Sequence, residues 1–280
     1  MRLRPGAALA CACAALLLVP ATGSAASGRP RPAWLTPSLL QQIHDAGATG
    51  VKVGEERLNT DCPGVQGTGV SAGGCIVAPA GCTANFVFAS GGNQYIGTAR
   101  HCVNAIGDEV TMQVDPTTLA VVGTVAYMTS GDGVPGNDWS LIKIDPAVAA
   151  KWGVSPAVPV VGGPYGVYTG CDVGTPLLHY GHGYGVAVAQ GKVEGGISTN
   201  WHDDGYGWAG VGAPGDSGSG VLTTDRKAVG DFTHLIVDTG DYLGSDLAGM
   251  RITRMMNQFG VSLVNADGTL TPPGATTNCG

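Results

Sequence analysis

The chain has 280 residues, of which 44% are hydrophobic and only 12% charged, and its formal net charge is −7. That balance excludes an acidic disordered chain and offers no basic surface for nucleic acid. With 47 glycines, it fits a rigid, turn-rich extracellular fold better than a helical bundle.

Residues 1–26 read as a secretory signal peptide. Arg2 and Arg4 give a positive start, Ala7 to Val19 an apolar run, and Ser24-Ala25-Ala26 a small-residue cleavage site. The run is too short to span a bilayer, so the expected product is secreted and free of the membrane after cleavage. Cys11 and Cys13 leave with this segment. Cys62, Cys75, Cys82, Cys102, Cys171 and Cys279 remain. An even count in an exported chain predicts disulfides, with fifteen pairings open. No CxxC pair supports a zinc site. Residues 27–59 form either a propeptide or an N-terminal arm. They contain a stiff Arg29-Pro30-Arg31-Pro32 opening and a short helix candidate capped by Ser38, with Leu39, Leu40 and Ile43 as its stripe.

From residue 60 the pattern changes to short apolar segments between glycine turns. Phe86-Val87-Phe88 and Tyr95-Ile96 predict two strands joined by Ser90-Gly91-Gly92-Asn93. Further strands are expected at 110–114, at 119–128 with Gly123 as a bulge, and at 141–144, 186–189, 192–197, 221–223 and 229–232. Such a series favours an antiparallel barrel or sandwich over a doubly wound fold. Residues 246–259 carry a helical period through Leu247, Met250, Ile252, Met255, Met256 and Phe259, with Gly260 as the stop. A strand at 261–264 and a polar, turn-rich tail over 266–280 close the chain.

Three local contexts carry chemistry: Gly97-Thr98-Ala99-Arg100-His101-Cys102, Gly136-Asn137-Asp138-Trp139-Ser140, and Gly212-Ala213-Pro214-Gly215-Asp216-Ser217-Gly218-Ser219-Gly220. A serine hydroxyl is a weak nucleophile without a base. His101 has the intrinsic pKa to take the Ser217 proton and return it to a leaving group. Asp138 would hold the imidazole tautomer. The N–H groups of Gly215 and Ser217 would face an oxyanion. Taken singly, each residue has an ordinary reading: a surface histidine, a turn aspartate, a loop serine. Together, in the order His, Asp, Ser, they point to nucleophilic hydrolysis.

These motifs resemble the trypsin/chymotrypsin family of serine endopeptidases, and the Pro214-Gly215 step resembles its secreted bacterial branch. The resemblance covers residues 60–265. It implies an all-β fold of two packed antiparallel β-barrels with a C-terminal helix, a catalytic set of His101, Asp138 and Ser217, and an oxyanion hole at Gly215 and Ser217. It also implies a Cys82–Cys102 disulfide closing the histidine loop. Pocket walls would come from Val211, Gly212 and Ala213 on one side and Thr233, His234 and Leu235 on the other. None of these is an aspartate, so selection of Arg or Lys is not expected. His234 would either bind an acidic side chain or sit as an exposed edge residue.

The expected reaction needs no cofactor and no metal, and the expected partner is a polypeptide substrate met by a monomer. The alternatives are a catalytically weak binding protein and an esterase on the same fold. Arg100 stands where a small residue is commoner in the family, while Ser219 replaces a glycine familiar in animal members in a way that resembles other bacterial members. No Ile-Val-Gly-Gly start supplies the freed terminus that supports Asp216 in animal members. His179, Tyr180, His182, Tyr184, His202 and Tyr206 read as surface or groove loops, Asp203-Asp204-Gly205 as a fragment of a calcium site, and at least one of Trp152, Trp201 and Trp208 as buried.

Overall fold

The computed structural model describes residues 56–58, 62, 68–131, 134–183, 191–235 and 245–279. The signal segment, the Ser38 helix, the 186–189 strand and Tyr184 lie outside them.

Two antiparallel sheets make up the body. The first takes β1 (Glu56–Leu58) and the chain that follows a short β2 (Val70–Ser71): β3 (Cys75–Ala78), β4 (Cys82–Thr83), β5 (Val87–Ser90), β6 (Asn93–Thr98), β7 (Glu109–Asp115), β8 (Thr118–Met128) and β9 (Ser140–Ile144). Helix α1 (Pro146–Trp152) and β10 (Val154–Ser155) then lead across, with β10 pairing β2 in parallel. The second sheet takes β11 (Pro176–Gly181), β12 (Lys192–Trp201), β13 (Gly205–Gly210), β14 (Gly220–Thr223), β15 (Ala228–Asp231), β16 (His234–Leu235) and β17 (Leu247–Met250). Helix α2 (Ile252–Phe259) returns the chain, so that β18 (Ser262–Val264) and β19 (Leu270–Thr271) join the first sheet. The first sheet runs β19-β18-β5-β6-β9-β8-β7-β3-β4 with β1 beside β8, and the second runs β15-β14-β11-β12-β13-β17-β16.

The expected hairpin forms on a two-residue Gly91-Gly92 turn, since Ser90 pairs Asn93. Both glycines have positive φ, 56° and 78°, which such a turn needs. Register slips between Val110 and Thr111, opposite Gly123 and Val121. That irregularity lies where a bulge is expected.

Residues 246–259 are not one helix. Leu247–Met250 is a strand between β13 and β16, and only Ile252–Phe259 is helical. All four strand residues are buried, and a short run buried on every side has no period that separates strand from helix. A Cβ on Gly249 would fall 1.7 Å from the Asp231 carbonyl oxygen, a closeness only the strand packing requires. Gly260 does end α2, in the left-handed region at φ 64°.

One core lies within the first sheet, around Ile76, Val87, Ile96, Met112, Val122 and Ile142. Another lies within the second, around Leu177, Trp208, Val221, Val229 and Phe232. A third joins them: Phe86, Phe88, Trp139 and Leu141 meet Leu222, Met250 and the buried face of α2. Each such large side chain contributes about 1.5–3 kcal/mol when fully buried, so the two sheets are held as one packed body. Three disulfides add to this: Cys62–Cys75, Cys82–Cys102 and Cys171–Cys279.

Four members of the histidine- and tyrosine-rich zone are buried rather than exposed on surface loops, while His202 does lie in the partly exposed turn between β12 and β13. His179, Tyr180, His182 and Tyr206 are all at most 2% exposed. Three lie on β11 and β13 inside the second sheet or facing the first, where ring carbon drives burial; the His179 ring and the Tyr206 hydroxyl have hydrogen-bond partners. Trp201 and Trp208 are buried as well.

Candidate active site

The site lies where the ends of strands from both sheets meet. Strand β6 ends at Thr98 and runs into a 3-10 turn, Arg100–Cys102, that carries His101. Asp138 immediately precedes Trp139 and β9. Trp139 is fully buried, with its backbone N–H donated to the Thr129 hydroxyl and its ring in edge contact with Phe88. Because β6 and β9 are paired, with Thr98 opposite Ser140, the two residues just beyond that pair fall side by side.

Asp138 grips His101 at two points. Its Oδ2 is 2.7 Å from His101 Nδ1, and its Oδ1 accepts the His101 backbone N–H at 2.9 Å. Burial opposes the ionised carboxyl, yet the His101 hydrogen bonds and charge outweigh it and hold Asp138 below the usual carboxylate range. An ionised carboxylate only accepts, so Nδ1 donates its hydrogen to Asp138 and Nε2 is the ring nitrogen turned away from the acid. The imidazole is 45% exposed against 6% for Asp138. The carboxyl is enclosed and the imidazole is open to solvent.

Ser217 belongs to the loop entering β14. Its carbonyl oxygen accepts the Thr83 N–H at 2.9 Å, and Cys102 Sγ lies 3.7 Å from the same oxygen. Gly218 explains how the loop comes so close to the histidine turn. Its φ is +88°, and a Cβ there would meet Thr98 Oγ1 at 2.2 Å and the Ala99 nitrogen at 2.7 Å. Only glycine serves both demands. The Ser217 hydroxyl makes no hydrogen bond with the His101 ring in this arrangement; such bonds are commonly long in free enzymes and tighten with substrate.

The loop is fixed from below by Asp216, which is fully buried. Its Oδ1 accepts Gly183 N–H at 2.5 Å and its Oδ2 accepts Ala213 N–H at 2.7 Å. Burial first, and the Glu194 carboxyl second, push its pKa up to about 7. A Cβ on Gly181 or Gly183 would strike this carboxyl at 2.1 and 2.3 Å. Those two glycines are the sequence signal for a support that no side-chain pattern announces. Gly215, at φ +105°, gives its carbonyl to the Thr83 hydroxyl at 2.9 Å. Among the described residues, neither Gly215 N–H nor Ser217 N–H is donated to a protein acceptor.

A cleft of about 320 Å³ is lined by Arg100, His101, Gly131, Asp138, Thr233, His234 and Leu235. The structure thus brings together the imidazole, its acid and one of the two expected walls. Ser217, Gly215 and the other wall lie outside that lining. Val211 is exposed, Gly212 packs against Phe232 and Leu247, and Ala213 is tied to Asp216. His234 is neither a free edge residue nor open to a ligand at both nitrogens. Its Nδ1 is 2.8 Å from Thr233 Oγ1 and 3.8 Å from Asp138 Oδ2, and its ring meets His101 edge-on at 6.2 Å. Burial, reinforced by His101 and opposed by Asp138, lowers its pKa.

Cys82, His101 and Cys102 bring donor atoms within metal-binding reach of one another. Both sulfurs belong to the Cys82–Cys102 disulfide, so neither is the thiolate that a metal needs. The expected calcium fragment is also committed elsewhere. Asp204 pairs Arg254 at 2.6 Å, and Asp203 accepts the Cys279 N–H at 2.8 Å.

No protein-family model matches the chain, and no curated protein matches it. Among solved structures it is similar to Thermobifida fusca protease A, at 21% identity and TM-score 0.49 over 71% of this chain and 100% of that one. It is similar to Cellulomonas bogoriensis chymotrypsin at 19% identity and TM-score 0.45, covering 70% of this chain and 98% of that one. A glutamic-acid-specific serine protease that uses a histidine triad in substrate binding is 20% identical, with TM-score 0.48 over 69% and 100% of the two chains. Likeness at these levels does not fix an activity.

Proposed function

We propose that the chain is a secreted serine endopeptidase of the trypsin/chymotrypsin type, with each sheet forming one of two barrels and the catalytic cleft between them. The observation that carries the reading is the two-point grip of Asp138 on His101, at 2.7 and 2.9 Å, on a turn against which Gly218 presses the Ser217 loop.

The chemistry follows from the tautomer. Nε2 of His101 takes the Ser217 proton as Oγ attacks the scissile carbonyl, and the imidazolium is stabilised by ionised Asp138. The N–H groups of Gly215 and Ser217 receive the charge that develops on the carbonyl oxygen, and one such donor can be worth about 3 kcal/mol. The C–N bond then breaks as the imidazolium gives its proton to the leaving amine. Water, deprotonated by the same Nε2, attacks the acyl-enzyme, and collapse returns the proton to Ser217 Oγ. The candidate primary-pocket residues Val211, Gly212 and Ala213 carry no charge, which favours uncharged side chains over Arg or Lys at the cleaved bond.

Hydrolysis of a diverse peptide library by the secreted, disulfide-bonded protein tests the proposal. Wild type is expected to cleave, and Ser217→Ala to lose activity by roughly 10⁴-fold or more. Peptide cleavage undiminished in Ser217→Ala would overturn it. Turnover of esters without peptides would transfer the same residues to an esterase.

A further inference from the structure

We propose that His179 is a positioning residue for Ser217: its buried imidazole ties together the two ends of the nucleophile loop, at Val211 and at Ser219. The proposal rests on the peptidase reading and adds to it a group that lies outside the triad.

His179 projects from β11 and is 1% exposed. Its Nε2 lies 3.1 Å from the Val211 carbonyl oxygen, and its Nδ1 lies 3.0 Å from Ser219 Oγ. A carbonyl oxygen can only accept, so Nε2 carries the hydrogen. Burial keeps the ring from gaining a second proton, a tendency that outweighs the nearby Glu194 carboxyl. Nδ1 therefore holds a lone pair, and Ser219 must be the donor. The direction of both bonds is fixed without ambiguity of tautomer. The ring is clamped by Phe232 at 5.5 Å and Trp208 at 6.3 Å between centroids.

Val211 precedes Ser217 and Ser219 follows it. The loop between them includes Gly215 and Gly218, both at positive φ, which give it little stiffness of its own. The Asp216 carboxylate holds the middle of that loop. The His179 bridge holds both of its ends to a strand of the second sheet. Serine at 219 supplies the donor that this buried Nδ1 needs; glycine there would leave it without one. Misplacing a reacting group by about 1 Å costs on the order of 100-fold in rate, so a bridge that sets the height of Ser217 acts on the chemical step.

The test uses Ser219→Ala, which removes the donor with almost no change of volume, beside His179→Ala and the double variant. The probe is phenylmethylsulfonyl fluoride, read as the second-order rate of Ser217 sulfonylation, with kcat and KM on a cleaved library peptide and Tm measured in parallel. Ser219→Ala is expected to slow sulfonylation by on the order of 10-fold, to lower kcat with KM unchanged, and to shift Tm little. The double variant is expected to be no slower than His179→Ala, because one link is broken in both. Sulfonylation of Ser219→Ala at the wild-type rate would refute the positioning role, as would additive losses in the double variant or losses that merely track Tm. A folded wild type that is not sulfonylated would instead bring down the peptidase reading, and the bridge's role with it.

Discussion

At the scale of single residues, Asp216 makes the sharpest claim because its carboxyl has no cation beside it among the described residues. Two backbone N–H groups favour its charge, while burial and Glu194 disfavour it, and the balance is a pKa raised to about 7. The sign follows from proton linkage. A folded-state value above the unfolded one means that the native state binds the proton more tightly. The stabilisation from that proton is complete in acid and is lost as pH rises towards and through 7. Asp216→Asn cannot titrate. The Tm difference, wild type minus variant, is therefore expected to fall between pH 4 and pH 8. A difference that is flat or rises over that range would contradict the burial argument; the constant offset carries no information, since Asn keeps only one acceptor for two donors. His101, Asp138 and Ser217 stood out in the sequence as candidates because each sits in a distinctive local context. The sequence did not reveal Thr83, His179 or the partners of Asp216, because a backbone amide or a buried hydroxyl leaves no pattern in the chain. Gly181, Gly183 and Ser219 were the only traces.

At the scale of elements, the histidine turn and the nucleophile loop are joined through β4. Thr83 on that strand donates its N–H to Ser217 and its hydroxyl to Gly215, and its neighbour Cys82 is bonded to Cys102 beside His101. The bridge spans 20 residues, for which loop-closure entropy gives about 3 kcal/mol. A Cys82→Ala, Cys102→Ala variant is expected to lose about that much in denaturant unfolding, together with activity, as the turn loosens against Ser217. Unchanged stability would show that the bridge holds nothing the packing does not. Strand positions between glycine turns were readable along much of the chain, since an alternating or short apolar run with turn signals is a local property. The helical reading of Leu247–Met250 failed for the converse reason. That run is buried on all sides, and its strand character comes from pairing with β13 and β16, partners distant in sequence.

For the whole molecule, the two sheets matter because on the proposed reading each supplies part of one site. His101 and Asp138 come from the first, Ser217 and His234 from the second, and Trp139, Phe86, Leu222 and α2 weld the sheets behind them. The tail contributes by closing back on the body: Cys279 bonds Cys171, while the buried Arg251 guanidinium lies 4.6 Å over Trp201 and reaches the Tyr168 and Gly170 carbonyls. The partner of Cys279 was not legible beforehand, since six cysteines alone do not choose their partners. The central claim is that this packing delivers Ser217 to His101 as a nucleophile. The most direct measurement is acid-quench mass spectrometry of the enzyme during turnover of an activated peptide ester, with the modified residue mapped by fragmentation. The account predicts an acyl adduct on Ser217 that is absent from Ser217→Ala and strongly reduced in His101→Ala. An adduct on another residue, or none while substrate is being hydrolysed, would contradict it.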